Sequence, residues 1–150
     1  MNVPTSPQIT RLAPPTPAER ARIIALETES FSNPWTPESF DAMVSSPVAQ
    51  VWVAREEGRI LGFCAIYLIA DEVYVNTIAV DKTARRRGIG TALITTVLRE
   101  TGARAATLEV RESNLAARAM YQRLGFVEKG IRPGYYHGPD EDGLILWLNP

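Results

Sequence analysis

Three side chains in the second half of the sequence, Glu109, Asn114 and Tyr121, can move protons or hold a polar ligand. Glu109 lies in Thr107-Leu108-Glu109-Val110-Arg111, where alternation puts Thr107, Glu109 and Arg111 on one face and Leu108 and Val110 on the other. A glutamate in mid-strand beside apolar neighbours is costly unless it is paired or hydrated. It therefore faces either a cleft or a cation, with Arg111 or Arg118 as the partner in the structural alternative. Asn114 and Tyr121 stand seven residues apart on the helix that follows, almost in line on one face, whereas Met120 and Leu124 point to the core. Read alone, Tyr121 is more readily a core aromatic. Glu72 is a further acid that could act as a base or hold an amine. Phe31 and Trp35 flank a break between two helices, where they either close the core or meet a substrate.

Upstream of these residues is a place for an anion. Val73 to Val80 reads as a strand, Asp81-Lys82-Thr83-Ala84-Arg85-Arg86-Arg87 as a charged loop, and Gly88-Ile89-Gly90-Thr91 as the start of an amphipathic helix. The first N–H groups of a helix have no intrahelical partner, and its dipole favours negative charge there. Glycine lets a ligand approach the backbone closely. A P-loop would need Lys-Ser/Thr after its second glycine, and none follows. A dinucleotide fingerprint needs a third glycine where Leu93 stands, and a tight turn where seven residues separate Val80 from Gly88.

Several elements must position these groups. A short edge strand is expected over Gln8 to Leu12. A helix starts at Thr16-Pro17 with Glu19 completing a capping box, and a second starts at Thr36-Pro37 and runs to about Val44. Strands over Gln50–Glu56 and Arg59–Ala70 surround a short hairpin turn at Glu56-Glu57-Gly58, and the strand from Glu72 follows. Ile89 to Glu100 has one-sided helical spacing and stops at Gly102. A strand over Ala105–Arg111 precedes a helix capped by Ser113 or Asn114, with Ala116, Ala119, Met120 and Leu124 inward and Gly125 as its stop. Strands from Phe126 to about Ile131 and from Gly143 to Leu148 enclose a polar loop. The order β α α β β β α β α β β predicts a mixed α/β class. The helix between the fourth and fifth strands makes these two a parallel pair joined by a right-handed crossover.

Arg85-Arg86-Arg87-Gly88-Ile89-Gly90, following Ile78-Ala79-Val80-Asp81, has the form Arg/Gln-x-x-Gly-x-Gly/Ala and resembles the GNAT acetyltransferases. Leu108-Glu109-Val110-Arg111, Ser113-Asn114, Ala116-Ala117, Met120-Tyr121 and Leu124-Gly125-Phe126 look like the second half of that family. Phe31-Ser32-Asn33-Pro34-Trp35, Arg132-Pro133-Gly134-Tyr135-Tyr136 and Glu141-Asp142 are similar to its RimI branch, the N-terminal acetyltransferases of bacterial ribosomal proteins. Pro133-Gly134 and Gly143 depart from that branch on the substrate side.

The resemblance covers roughly residues 10 to 147. It implies one domain of GNAT fold (core about 8–148), with a mostly antiparallel sheet and a splayed fourth and fifth strand. It also implies acetyl-CoA as cosubstrate with no metal, and a protein N-terminus as acceptor, the N-terminal alanine of a small-subunit ribosomal protein. Cofactor contacts are then expected from Ile78, Ala79, Val80, Arg85, Arg86, Arg87, Gly88, Ile89, Gly90, Thr91 and Asn114. Glu109 becomes the general base and Tyr121 the general acid toward sulfur. Phe31, Trp35, Glu72 and Tyr135 become substrate contacts. A small-molecule amine or a lysine is the alternative acceptor, and an idle acyl-CoA-binding module the alternative class. A glutamate, near pH 4.3 in the reference state, is a weak base for an ammonium, but an α-amine at about 7.7–8.0 is easier to deprotonate than lysine at about 10.4.

The totals agree. The 150 residues suit one core, and a net charge of −1 gives no general pull on nucleic acid or membrane. Arg85–Arg87 has no interleaved aromatics, so nucleic-acid binding is not expected. Cys64, the one cysteine, excludes an internal disulfide, fits a reducing compartment and reads as a buried inert thiol. The one histidine, His137, cannot build a histidine metal cluster or triad. Met1 to Arg11 lacks an apolar signal-like run. A cytoplasmic monomer is the expectation.

Overall fold

The structure is a computed structural model that describes residues 7–12 and 14–149. Seven strands form one sheet in the order β1-β2-β3-β4-β5-β7-β6. They are β1 (Gln8–Leu12), β2 (Ala49–Glu56), β3 (Arg59–Ile69), β4 (Glu72–Val80), β5 (Ala105–Arg111), β6 (Val127–Tyr136) and β7 (Glu141–Leu148). The helices are α1 (Pro17–Ser30), α2 (Pro37–Val44), α3 (Ile89–Thr101) and α4 (Leu115–Leu124), with a 3₁₀ turn at Lys82–Ala84 before α3. β4 and β5 are the parallel pair, and the other neighbours are antiparallel.

Local chemistry explains most of these boundaries. Thr16 accepts from the Glu19 N–H while the Glu19 carboxylate accepts from the Thr16 N–H, so the capping box forms in full. Glu57 and Gly58 both take positive φ, 52° and 78°, as a two-residue hairpin turn requires. Gly102 and Gly125 end α3 and α4 in the left-handed region.

Each face of the sheet carries its own core. On one side, α3 and α4 bury Ile89, Leu93, Ile94, Val97 and Tyr121 against Val73, Val75, Leu108 and Val110. On the other side, α1 and α2 bury Ile23, Leu26, Phe40 and Met43 against Val51, Val53, Phe63 and Ala79. A β-bulge decides which residues of β4 go where. Ala65 pairs with Thr77 and Ile66 with Val75, which leaves Asn76 unopposed. Before the bulge the odd-numbered residues Val73 and Val75 face α3. Beyond it Ile78 and Val80 do so, and Thr77 and Ala79 turn toward α1.

Two expectations need correction. β6 does not stop near Ile131 but runs to Tyr136, and β7 begins at Glu141 instead of Gly143. The Gly134 N–H (φ 62°) donates to Asp142 Oδ1 at 2.9 Å, so the chain bulges between Arg132 and Tyr136, and pairing resumes at Tyr136 opposite Glu141. Ala116 is exposed, not inward; the buried residue of α4 is Tyr121.

Candidate active site

The site is built around a break in the sheet. β4 and β5 pair only at Glu72–Ala105, Val73–Ala106 and Tyr74–Thr107. Beyond Tyr74 the strands part, so the β5-facing main-chain groups of the β4 stretch from the bulge onward have no ladder partner. A cavity of about 230 Å³ opens there and reaches both faces of the sheet. Val75, Asn76, Thr77 and Ile78 line it from β4, and Leu108 to Arg111 from β5. Asn114, Ala117 and Tyr121 enter from α4, while Glu27, Phe31 and Trp35 enter from α1 and the segment after it.

On the α3 side, the chain leaves β4 through Asp81, which is almost fully buried. Its Oδ1 accepts from the Thr83 N–H (2.8 Å) and hydroxyl (2.7 Å), and its Oδ2 from Arg22 (2.5 Å) and Arg59 (3.2 Å). The Thr83 hydroxyl, then the Arg22 guanidinium, hold the carboxyl well below the usual carboxylate range. Arg22 also donates to the Ile60 carbonyl, so α1, β3 and the loop before α3 are tied at one point.

The loop then turns through Arg86 (φ 67°) and Gly88 (φ 76°) into α3. Gly88 carries no capping side chain, so the N–H groups at Ile89, Gly90 and Thr91 begin the helix without a side-chain acceptor. Of the expected cofactor contacts, Arg85 donates to the Val80 carbonyl at 3.2 Å, and Arg87 is ion-paired with Glu56 on β2. Ile89 is a core side chain, so only its main chain can meet a ligand. A Cβ at Gly90 would stand 2.9 Å from Met120 Sδ, which is why α3 and α4 can run so close beside the cavity. Ala79 faces the α1 core, and Ile78 alone of the 78–80 trio lines the cavity.

Tyr121 satisfies both of its readings. It is 4% exposed and packs edge-on to Phe126 at 5.4 Å, yet it lines the cavity. No described residue hydrogen-bonds its hydroxyl, which is also not sealed off from solvent-sized space. Burial, then the neighbouring Cys64 and Tyr136, hold its phenol above the ordinary tyrosine range. A neutral phenol open to a cavity is a proton donor in waiting. Asn114 caps α4 by accepting from the Ala117 N–H at 3.2 Å, which leaves its NH₂ for the cavity.

The α1 side holds the carboxylates. The Tyr74 phenol donates to Glu109 Oε2, and Arg132 Nε to Oε1 at 3.1 Å. Its ion-pair partner is thus Arg132 on β6, neither Arg111 nor Arg118. Arg111 instead anchors the β6–β7 loop, donating to the carbonyls of His137 and Pro139 and to Glu141, and stacking on Tyr136 at 4.7 Å. Trp35 packs on Phe40 and Phe63 with centroids 6.0 and 6.5 Å away and also lines the cavity, so core closure and ligand contact coexist. Phe31 behaves likewise.

Two proposed substrate contacts do not line the cavity. Glu72 sits at the paired end of β4, 3.9 Å from Arg104, because the strands part only beyond Tyr74. Tyr135 is 43% exposed on the bulge over Gly143, under the Arg132 guanidinium (5.8 Å to its ring) that pairs with Glu109, and the wall position itself belongs to Tyr136.

Glu27 was not anticipated. It is 4% exposed, accepts from the Thr77 hydroxyl at 3.0 Å and the Trp35 N–H at 3.4 Å, and faces the cavity. Burial raises its carboxyl above the usual range against the lowering effect of those two donors. The available signal was its place at i+4 from Ile23, an acid inside the apolar stripe of α1. Cys64 is buried, its thiol pushed up to about 12 by burial, as an inert packing group requires. Among the described residues no acid, cysteine or histidine group has a metal-binding arrangement, and no helix is long and apolar enough to cross a membrane.

Comparison with known proteins places this geometry. The acetyltransferase (GNAT) family model matches residues 20–126. The N-alpha-acetyltransferase RimI of Mycobacterium tuberculosis is 35% identical over 137 residues, covering 87% of each chain. The ribosomal protein bS18-alanine N-acetyltransferase of Escherichia coli K12 is 33% identical over 128 residues, 82% of this chain and 86% of that one. A crystal structure of the Escherichia coli enzyme superposes with a TM-score of 0.85 at 29% identity, covering 95% of this chain and 92% of that one.

Proposed function

Since the chain belongs to the GNAT acetyltransferase family, we propose that it moves the acetyl group of acetyl-CoA onto the N-terminal α-amine of a protein, the alanine of a small-subunit ribosomal protein. The observation that carries this reading is the cavity at the β4–β5 break. It joins a phenol without a described hydrogen-bond partner and the Asn114 amide on the α4 side to a carboxylate-lined pocket on the α1 side.

In this reading the main-chain N–H groups of Gly88 to Thr91 hold the pyrophosphate, aided by Arg86. The NH₂ of Asn114 contacts the pantetheine arm. An unpaired β4 N–H between Ile78 and Val80 receives the thioester oxygen, where charge develops as the amine attacks. Tyr121 gives its proton to the departing sulfur. From the other side a protein N-terminus enters past Phe31, Trp35 and Tyr136, with Glu109 and Glu27 facing its ammonium. A cytoplasmic site of action goes with such an acceptor.

The test is thiol release from acetyl-CoA with Ala-starting hexapeptides, lysine peptides with blocked N-termini, and small amines. Release with the Ala-starting peptides alone or in large excess is expected. Release only with lysine or a small amine would move the acceptor, and none at all despite CoA binding would leave a binding module.

A further inference from the structure

The polar side chains on the two strands that wall the cavity are committed to partners, with one exception. Thr77 donates to Glu27, and Glu109 accepts from Tyr74 and Arg132. Arg111 is tied to Glu141 and to the carbonyls of His137 and Pro139. Asn76 is the exception: it lines the cavity, and no described residue hydrogen-bonds its carboxamide. The residue is half-buried, and neither amide atom is sealed off from solvent-sized space.

Its place in the sheet explains this freedom. Asn76 is the extra residue of the β4 bulge, and it stands beyond Tyr74–Thr107, the last β4–β5 pair. The α3 side of the gap is closed by Val75, Leu108 and Val110, each at most 5% exposed. An amide without a partner among those side chains would be an unsatisfied buried group, and there is none among the described residues. The carboxamide therefore opens on the α1 side, where strand alternation from Tyr74 also puts it. That is the side on which Glu27 and Glu109 reach the cavity.

We propose, building on the N-terminal acetyltransferase reading above, that Asn76 determines specificity by hydrogen-bonding the first side chain of the acceptor, so that N-termini beginning with serine are taken at least as readily as those beginning with alanine. Once the amine faces the carboxylates, the acceptor's main chain leaves past Phe31, Trp35 and Tyr136. Its first side chain is the part that stays inside.

Space and hydrogen bonding both favour a small hydroxyl there. The cavity of about 230 Å³ must also hold the thioester end, which limits the first side chain to a small one. A carboxamide offers both a donor and an acceptor, and a hydroxyl answers either. With alanine the amide keeps a bridging water, at some cost in immobilisation. With serine the hydroxyl takes that water's place. An apolar side chain at position 76 would reverse the preference, because the serine hydroxyl would then be buried without a partner.

The test sets Ser- and Ala-starting hexapeptides, otherwise identical, in competition for acetyl-CoA in one reaction, with the products counted by mass spectrometry at low conversion. The product ratio is the ratio of kcat/KM values, and it does not depend on how much of a variant is folded. The parent should acetylate the serine peptide at least as fast as the alanine peptide. Asn76→Leu and Asn76→Ala should each lower the serine-to-alanine ratio by about 3- to 10-fold, the worth of one hydrogen bond. A Thr/Val pair, which is isosteric, should shift the same way, and acetyl-CoA affinity should stay constant. A ratio that moves by less than about twofold in both variants, or a parent that prefers alanine by about tenfold, overturns the proposal. So does an equal loss with both peptides, which would put Asn76 against the acceptor's main chain. In each of these outcomes peptides are still acetylated, so the N-terminal reading stands. A parent that acetylates no peptide N-terminus defeats that reading and the serine preference together.

Discussion

The two faces of the sheet are built to different rules. On the α3 face the proposed working parts are local in sequence: a glycine-bounded helix start, and an asparagine and a tyrosine two turns apart on one helix. On the α1 face each working part depends on a distant partner. Glu27 depends on Thr77, 50 residues away, Glu109 on Arg132 and Tyr74, and Trp35 on Phe63. The first face, as a proposed binding motif, can be read residue by residue. The second is an assembled pocket, formed only when the bulge, the break and the β6 detour are all in place.

Asp81 is where that contrast can be broken. It belongs to the loop before α3, yet its Oδ2 is held by Arg22 of α1. Asp81→Asn removes a charge-assisted hydrogen bond and should lower stability by about 1.5–3 kcal/mol at neutral pH, or about 2–4 °C in Tm for each kcal/mol. The native carboxyl is held below its unfolded value, so this contribution is complete above the ordinary aspartate range of about 3.9 and fades as pH falls through and below it. The Tm gap between parent and variant should therefore close on acidification. If the faces are coupled here, the KM values of both acetyl-CoA and the peptide rise; if acetyl-CoA alone responds, the clamp serves the loop only.

Tyr121→Phe sharpens the contrast from the α3 side. The ring packs on Phe126 and the hydroxyl has no described partner, so the fold should tolerate the change. A fall in kcat of about 10- to 100-fold, or about 1.4–2.7 kcal/mol, is expected with acetyl-CoA affinity nearly constant. Unchanged kcat would remove Tyr121 from the acid role and leave it as a core aromatic.

Much of the fold was legible because its signals are local. Thr16 with Glu19, Thr36 with Pro37, Glu57-Gly58, and the glycine stops at Gly102 and Gly125 each set a boundary within a few residues of themselves. The signals behind the proposed α3 half of the site are local in the same way. Glu27 was hidden because an acid in an apolar stripe has no meaning until Thr77 and Trp35 surround it. The path from Arg132 to Tyr136 was misread because Pro133-Gly134 resembles a turn, whereas Asp142, eight residues on, converts it to a strand bulge that puts Tyr136 in the wall and Tyr135 outside. Glu72 looked eligible because a pattern of residues does not show where two strands part.

The smallest expected effect isolates the α3 face. Gly88 has φ 76°, and nothing lies within 4 Å of where a Cβ would go, so Gly88→Ala meets backbone strain and no clash. A left-handed alanine costs roughly 1–2 kcal/mol, so Tm should drop by a few degrees. If the loop relaxes that strain by turning, the N–H groups of Ile89, Gly90 and Thr91 lose their common direction. Calorimetric titration should then show acetyl-CoA binding weakened several-fold, while the peptide KM at saturating acetyl-CoA stays put, because no acceptor residue touches this turn. A lower Tm with unchanged acetyl-CoA affinity would mean that the pyrophosphate is not held at the start of α3. An equal rise in the peptide KM would mean that the two faces are one cooperative unit, joined through Asp81 and Arg22.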